Sequence, residues 1–221
     1  MMRKFCLIGI AVMLGVAAPA AAADEFKYVS HKKCKTCHKK ELMGNQYGSW
    51  KDGAHSKAFD TLKTEQAAEW AKEAGIEGAA HEADECVKCH ATAFGLEATQ
   101  MAKKPLVLSD GVQCESCHGP GSGYRKKKVM SDRDQSVAKG LVLPEAETCV
   151  GCHNDESPAW DPARYKLADG TTAGFDFEQA AADIAHPIPE DVKGHYIEIA
   201  KKRKAEKRAQ GESVDDEEDD D

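Results

Sequence analysis

Aromatic side chains are scarce in this chain. Its 221 residues include three Trp, five Tyr and six Phe, and 31% of the chain is charged. Side chains of that kind make a thin interior for a protein of this length. Long apolar runs are scarce too: none reaches the ~20 residues that span a bilayer, which excludes a polytopic membrane protein. A surplus of positive charge is missing, the formal net charge being −8, so nucleic acid is not an expected partner. What is plentiful is cysteine, nine in all. They are too many and too regularly placed for a disordered chain or a typical cytosolic enzyme. Something other than side chains is expected to fill the interior.

The N-terminus predicts the compartment. Arg3 and Lys4 precede an apolar run of 14 residues, Phe5 to Ala18, which Pro19 breaks before Ala20–Ala23. The pattern predicts a secretory signal cleaved before Asp24, with export to the periplasm or beyond it and no membrane span in the product. Residues 1–23 are read as the signal, 24–200 as one folded domain and 201–221 as a charged, disordered tail. In the tail, Lys201–Arg208 hold six basic residues and one acid, and Asp215–Asp221 are seven consecutive acids. Cys6 would leave with the signal. The mature chain then keeps eight cysteines, and losing two basic residues takes its net charge from −8 to −10. In an oxidising compartment eight free thiols would not persist.

Those eight fall into four copies of one pattern: Cys34-Lys-Thr-Cys37-His38, Cys86-Val-Lys-Cys89-His90, Cys114-Glu-Ser-Cys117-His118 and Cys149-Val-Gly-Cys152-His153. Cys-x-x-Cys-His is the attachment signature of c-type haem. Two thiols about one helical turn apart can each add to a haem vinyl group, and the next residue then projects an imidazole at the iron. Zinc knuckles and disulfides also use paired cysteines. Neither explains a His after every second cysteine. His is 9 of 221 residues, so four such hits by chance have a probability on the order of a few in a million. The reading is four covalently bound c-type haems, about 50 mature residues each, whose porphyrins supply the apolar bulk that the side chains do not.

The gaps between motifs are 47, 23 and 30 residues, room for one or two helices apiece. The fold class expected is mainly α with little β, wrapped around the haems. Asp52 reads as the N-cap of a helix running through Ala74, with Gly75 as its stop and Phe59, Leu62, Gln66 and Trp70 on one face. Asp176 opens another, with Gln179 as the return half of a capping box and His186-Pro187 as its end. Leu106-Val107-Leu108 and Leu141-Val142-Leu143 could form a minor ribbon. Gly119-Pro120-Gly121 predicts a tight turn, either a site of close haem approach or a plain surface loop.

His38, His90, His118 and His153 are the proximal ligands of this reading. Five histidines remain for the distal positions. His55, early in its expected helix, and His186, at the end of one, are rigidly placed; His31, His81 and His195 are further candidates. Met43, Met101 and Met130 could supply a thioether instead. Asp84 and Glu85, the local candidates for acid–base chemistry, also read as a solvated charged face.

With these residues in view the chain resembles the tetrahaem cytochrome c-554 family of nitrifying bacteria. The resemblance rests on Trp50-Lys-Asp-Gly-Ala-His55-Ser-Lys-Ala58, on Gly111 to Gly121 around the third motif, and on Cys149 to Trp160. It implies a mostly helical fold with haems in stacked and perpendicular pairs, and electron transfer from an oxidoreductase such as hydroxylamine oxidoreductase. It also implies distal ligation by His55 and His186 and a five-coordinate second haem, at His90. The family places a distal His soon after the Gly-Pro-Gly turn; here that stretch is Tyr124-Arg-Lys-Lys-Lys128. The first haem then takes a ligand from His31, from His195 or from another subunit, or its site stays open. The expected function is electron transfer between redox proteins, an oxidoreductase or a quinol-linked cytochrome among them. The alternatives are a small reductase acting at an open haem and a self-associating subunit of an extracellular cytochrome filament.

Overall fold

A computed structural model describes residues 26–103, 105–193 and 196–210. The expected signal, His195 and the acidic block Asp215–Asp221 lie outside the described residues. The chain is a succession of short helices: α1 (His31–His38), α2 (Gln46–Asp52), α3 (Ala58–Thr61), α4 (Glu65–Glu73), α5 (Asp84–His90), α6 (Cys114–His118), α7 (Lys127–Met130), α8 (Arg133–Ala138), α9 (Ala146–Val150), α10 (Phe177–Asp183) and α11 (Tyr196–Ala209). The strand content described is one antiparallel pair, β1 (Tyr165–Lys166) and β2 (Thr172–Ala173), so the architecture is mainly α with little β. Helix α11 carries the basic half of the expected tail.

The main apolar cluster joins α3, α4 and α5: Phe59, Leu62, Ala67, Ala71, Ala80, Val87 and Ala91. Four of the seven are alanine, and each contributes less than the ~1.5–3 kcal/mol that burying a large apolar side chain gives. The interior is thin, as the composition predicts.

Several elements differ from the sequence expectation. Asp52 ends α2 rather than capping a helix, because the Gly53 N–H closes that turn onto the Ser49 and Trp50 carbonyls. The expected helix over 52–74 is in fact a 3-10 turn (His55–Lys57), then α3, then α4, which restarts where the Thr64 hydroxyl accepts the Ala67 N–H at 3.2 Å. Trp70 is exposed, and α4 buries Ala67 and Ala71 instead. Helix α10 starts as expected, the Asp176 carboxylate accepting the Gln179 N–H, but the Gln179 amide donates to the Lys166 carbonyl, so the reciprocal half of the box is not made. That helix stops at Asp183, before His186-Pro187.

Neither Leu-Val-Leu segment is a strand. The Val142 N–H is spent on the His118 carbonyl and the Leu106 N–H on the Met101 sulfur, while Leu108 opens a 3-10 turn. The strand pair lies where Asp169-Gly170 supplies a hairpin turn, its carboxylate accepting the Thr171 N–H at 2.9 Å.

Candidate haem-binding sites

Each motif sits on a single short helix or its last turn. In α1, α5 and α6 the closing histidine is the last helical residue. In the fourth motif, α9 ends at Val150, and the turn continues by Cys149 accepting the N–H groups of Cys152 and His153. The eight described cysteines are all free thiols, intermediate in burial except for exposed Cys152. No disulfide joins them.

The fold draws the motifs together in pairs. The thiols of Cys34 and Cys114 meet, and their contact pushes Cys34 up and Cys114 down from the ordinary thiol range. Burial, with Cys89 beside it, pushes Cys152 up to about 12. Lys88 and Glu156, 3.1 Å apart, tie the second motif to the fourth a second time. Pairing the first motif with the third and the second with the fourth was not visible in the sequence.

The motif histidines are oriented through Nδ1. His90 donates from Nδ1 to the Ala58 carbonyl at 2.7 Å, and His118 to the Val142 carbonyl at 3.1 Å. His38 has the Gln46 Oε1 at 3.2 Å from Nδ1, and the Gln46 amide nitrogen is committed to the Met43 carbonyl, so Oε1 is the acceptor. Carbonyl oxygens only accept. The proton is therefore on Nδ1 in all three rings, and Nε2 keeps its lone pair for a metal. Burial also holds His38, His118 and His153 below the usual imidazole range, in the neutral form that ligates.

Two further imidazoles face this set. His186 stands edge-on to His118 with ring centroids 6.1 Å apart, and His55 stands edge-on to His153 at the same 6.1 Å. Two imidazoles on opposite sides of one metal, each with a ~2 Å metal–nitrogen bond, have their ring centres about 6 Å apart. His186 also has Nδ1 donating to the Ile184 carbonyl at 2.7 Å, the same arrangement as the motif histidines. Phe175 stacks on His153 at 5.6 Å. Around the first motif, Met43, Met130, Tyr124, Ile188 and Val192 form an apolar wall to the cavity holding Cys34, Cys37 and His38. Exposed Val142 and Ile184 stand at the backbone carbonyl partner of His118 and two residues before His186. Free cysteine pairs at four motifs, Nδ1-anchored rings at three, facing imidazoles at two and an apolar wall at the first are features that fit bound haem.

Two glycines permit the close approaches that set the facing rings. Gly44, at φ +89°, passes so near the segment after His186 that a Cβ would lie 2.6 Å from the Pro187 oxygen. Gly111, at φ +67°, lies where a Cβ would be 2.8 Å from both the His55 and Ser56 oxygens. Neither contact carries a motif that sequence reading could have found.

The other candidates are placed differently. His31 is buried, with Nδ1 3.2 Å from the Tyr47 hydroxyl, Nε2 3.4 Å from the Asp110 carboxylate and Trp50 at 4.8 Å. Nδ1 is within hydrogen-bond distance of that hydroxyl, whereas the buried Nε2 makes no hydrogen bond. His81 stands edge-on to Phe59 at 6.5 Å, with Glu82 4.0 Å from Nε2. Met101 receives the Leu106 N–H. Asp84 and Glu85 are exposed in the first turn of α5 and gather no acid–base cluster. After the glycine turn, where the resemblance leads one to expect a histidine, Tyr124 is buried and its hydroxyl donates to the Gly119 carbonyl at 2.7 Å. In the Gly-Pro-Gly turn Gly121 donates to Glu115 and approaches Val29, and it also lines the cavity that holds Cys34, Cys37 and His38.

Comparison with known proteins gives three findings. The family described as "Cytochrome c554 and c-prime" matches residues 33–119. Cytochrome c-554 of Nitrosomonas europaea is 30% identical over 173 residues, 72% of this chain and 72% of that protein. A solved structure of reduced cytochrome c554 from the same organism is 29% identical and covers 73% of this chain and 79% of its own, with a TM-score of 0.46.

Proposed function

Because the chain belongs to the cytochrome c554 family, we propose that it is an exported tetrahaem c-type cytochrome that passes electrons between redox proteins. The coarser statement, a c-type cytochrome that carries electrons, follows from the family. Four haems, export and a chain of internal transfers are the finer reading. Cys34 with Cys37, Cys86 with Cys89, Cys114 with Cys117 and Cys149 with Cys152 would hold one haem each. His38, His90, His118 and His153 would be the proximal ligands. A bound haem supplies a one-electron iron couple whose potential follows its axial ligands.

The protein's part is to fix those ligands before any electron moves. The carbonyls of Ala58 and Val142 and the side chain of Gln46 hold three proximal rings with Nε2 available. We assign His55 opposite His153 and His186 opposite His118. His31 stays a candidate distal ligand: its Nδ1 faces the Tyr47 hydroxyl, but its buried Nε2, 3.4 Å from Asp110, makes no hydrogen bond. Rigid ligation of this kind suits a carrier, which must change charge without changing shape.

The observation that carries the reading is the recurrence of the 6.1 Å facing pair at two motifs. Low-temperature electron paramagnetic resonance of the ferric protein tests it. The wild type is expected to give low-spin signals of bis-imidazole haems. His186→Met and His55→Met should each convert one signal and leave the others in place. Unchanged spectra in both variants would remove the assignment.

A further inference from the structure

Positive charge is concentrated around one haem site in a protein that is acidic overall. Residues 27–40 hold six lysines and no acid, and residues 119–130 hold four basic residues and no acid. The fold brings these stretches together. Lys33, Arg125 and Lys127 line the cavity that holds Cys34, Cys37 and His38, and Lys27 and Ser122 exchange two hydrogen bonds through backbone and side chain. Two acids in contact with these stretches are committed. Glu115 is buried on the N–H groups of Val29, Ser30 and Gly121, and Asp110 lies against His31 and Lys32. Of the exposed acids on the segment that supplies Ile188 and Val192, Glu190 is paired with Lys193 while Asp191 adds one negative charge.

The opposite sign gathers at the other motif pair. Residues 82–90 hold three acids and one lysine, and residues 145–156 hold four acids and no base. That one lysine, Lys88, is bound to Glu156. The molecule is thus polar along its haem pairs, basic at the first and third motifs and acidic at the second and fourth.

We propose that the basic face around the first motif docks an acidic redox protein and is the point of electron exchange with it. The inference rests on the carrier reading above and names the partner chemistry of that site. The two propionates of a bound haem would lower the positive charge of this face without reversing it, since Lys27, Lys33, Arg125, Lys126 and Lys128 all belong to it. Exposed charge of one sign around a redox edge raises encounter rates with a partner of opposite sign and orients it, in a strongly salt-dependent way.

The test uses the full-length holoprotein and a fluorescently labelled acidic flavodoxin as probe, with binding read by anisotropy. Haem content is measured first; fewer than four haems per chain would count against the carrier reading whatever the docking result. The wild type should bind, and its affinity should fall about tenfold or more between ~50 and ~200 mM salt. Lys33→Glu with Arg125→Glu and Lys126→Glu should weaken binding by about tenfold or more. Glutamine at the same three positions should weaken it less, with haem content measured in every variant so that a docking loss is read only from fully loaded protein. Glu147→Lys with Asp155→Lys should not weaken it. Salt-insensitive binding, or equal loss in the two reversal variants, would overturn the proposal. Sedimentation revealing self-association lost with the basic face would assign the surface to a second copy and overturn it. Binding strengthened tenfold by replacing the acids of 215–221 with amides would assign it to the chain's own tail, and would also overturn it.

Discussion

Glu115 occupies the first variable position of the third motif, yet its side chain is 1% exposed. Its carboxylate accepts N–H groups from Val29, Ser30 and Gly121 at 2.7–3.1 Å. It thereby joins the segment entering α1 to the turn leaving α6. Burial pushes the carboxyl up and those three donors pull it back. Glu115→Gln keeps the shape but turns one acceptor into a donor facing N–H groups. It should cost about 1–3 kcal/mol, read as a lower denaturant midpoint of the holoprotein; an unchanged midpoint would refute this role. The residues proposed to hold the cofactor were legible because chemistry fixes their type and spacing. Glu115 and Gln46 were not, because their partners are backbone groups or a ring brought to them by folding. The same holds for Ala58 and Val142, which act through carbonyl oxygens that every residue has.

At the scale of elements, short helices prevail because each motif needs only one turn and each facing ring must be delivered by a separate segment. The periodicity of Phe59, Leu62, Gln66 and Trp70 suggested one long helix. Phe59 and Leu62 are indeed buried, but Gly53 and Thr64 cut the run into pieces. The 3-10 turn that the break leaves carries His55, the proposed partner of His153. Gly111 then lets the next loop lie on that turn, with the Val112 N–H donating to the His55 carbonyl at 3.0 Å. Gly111→Ala would set a Cβ against two backbone oxygens at a positive φ, where neither side can yield cheaply. It should lower stability by more than ~1 kcal/mol and shift the resonance signal assigned to His55 and His153 while sparing that of His118 and His186. Loss of both signals together would mean that Gly111 serves the whole fold rather than this ligand. The hairpin at Asp169-Gly170 was readable from its turn residues, whereas two apolar triplets drew attention to segments whose backbone groups are spent elsewhere.

Across the whole molecule, the scarcity of aromatic side chains and the abundance of cysteine have one explanation. The largest cluster of buried side chains is built mostly of alanine. The cavity at the first motif and the facing rings at the third and fourth stand where porphyrins would complete the interior. The family and the mainly helical class were readable from motif order. The pairing of motifs and the separation of charge between them depend on long-range contacts and came only with the fold. The central claim is four haems bound covalently to an exported chain. Intact-mass spectrometry of the denatured, purified protein tests it most directly, because thioether-linked haem survives unfolding and axial ligands do not hold it. The account predicts one species, a chain beginning at Asp24 plus the mass of four haems. A chain carrying fewer haems, or one keeping residues 1–23, would contradict it.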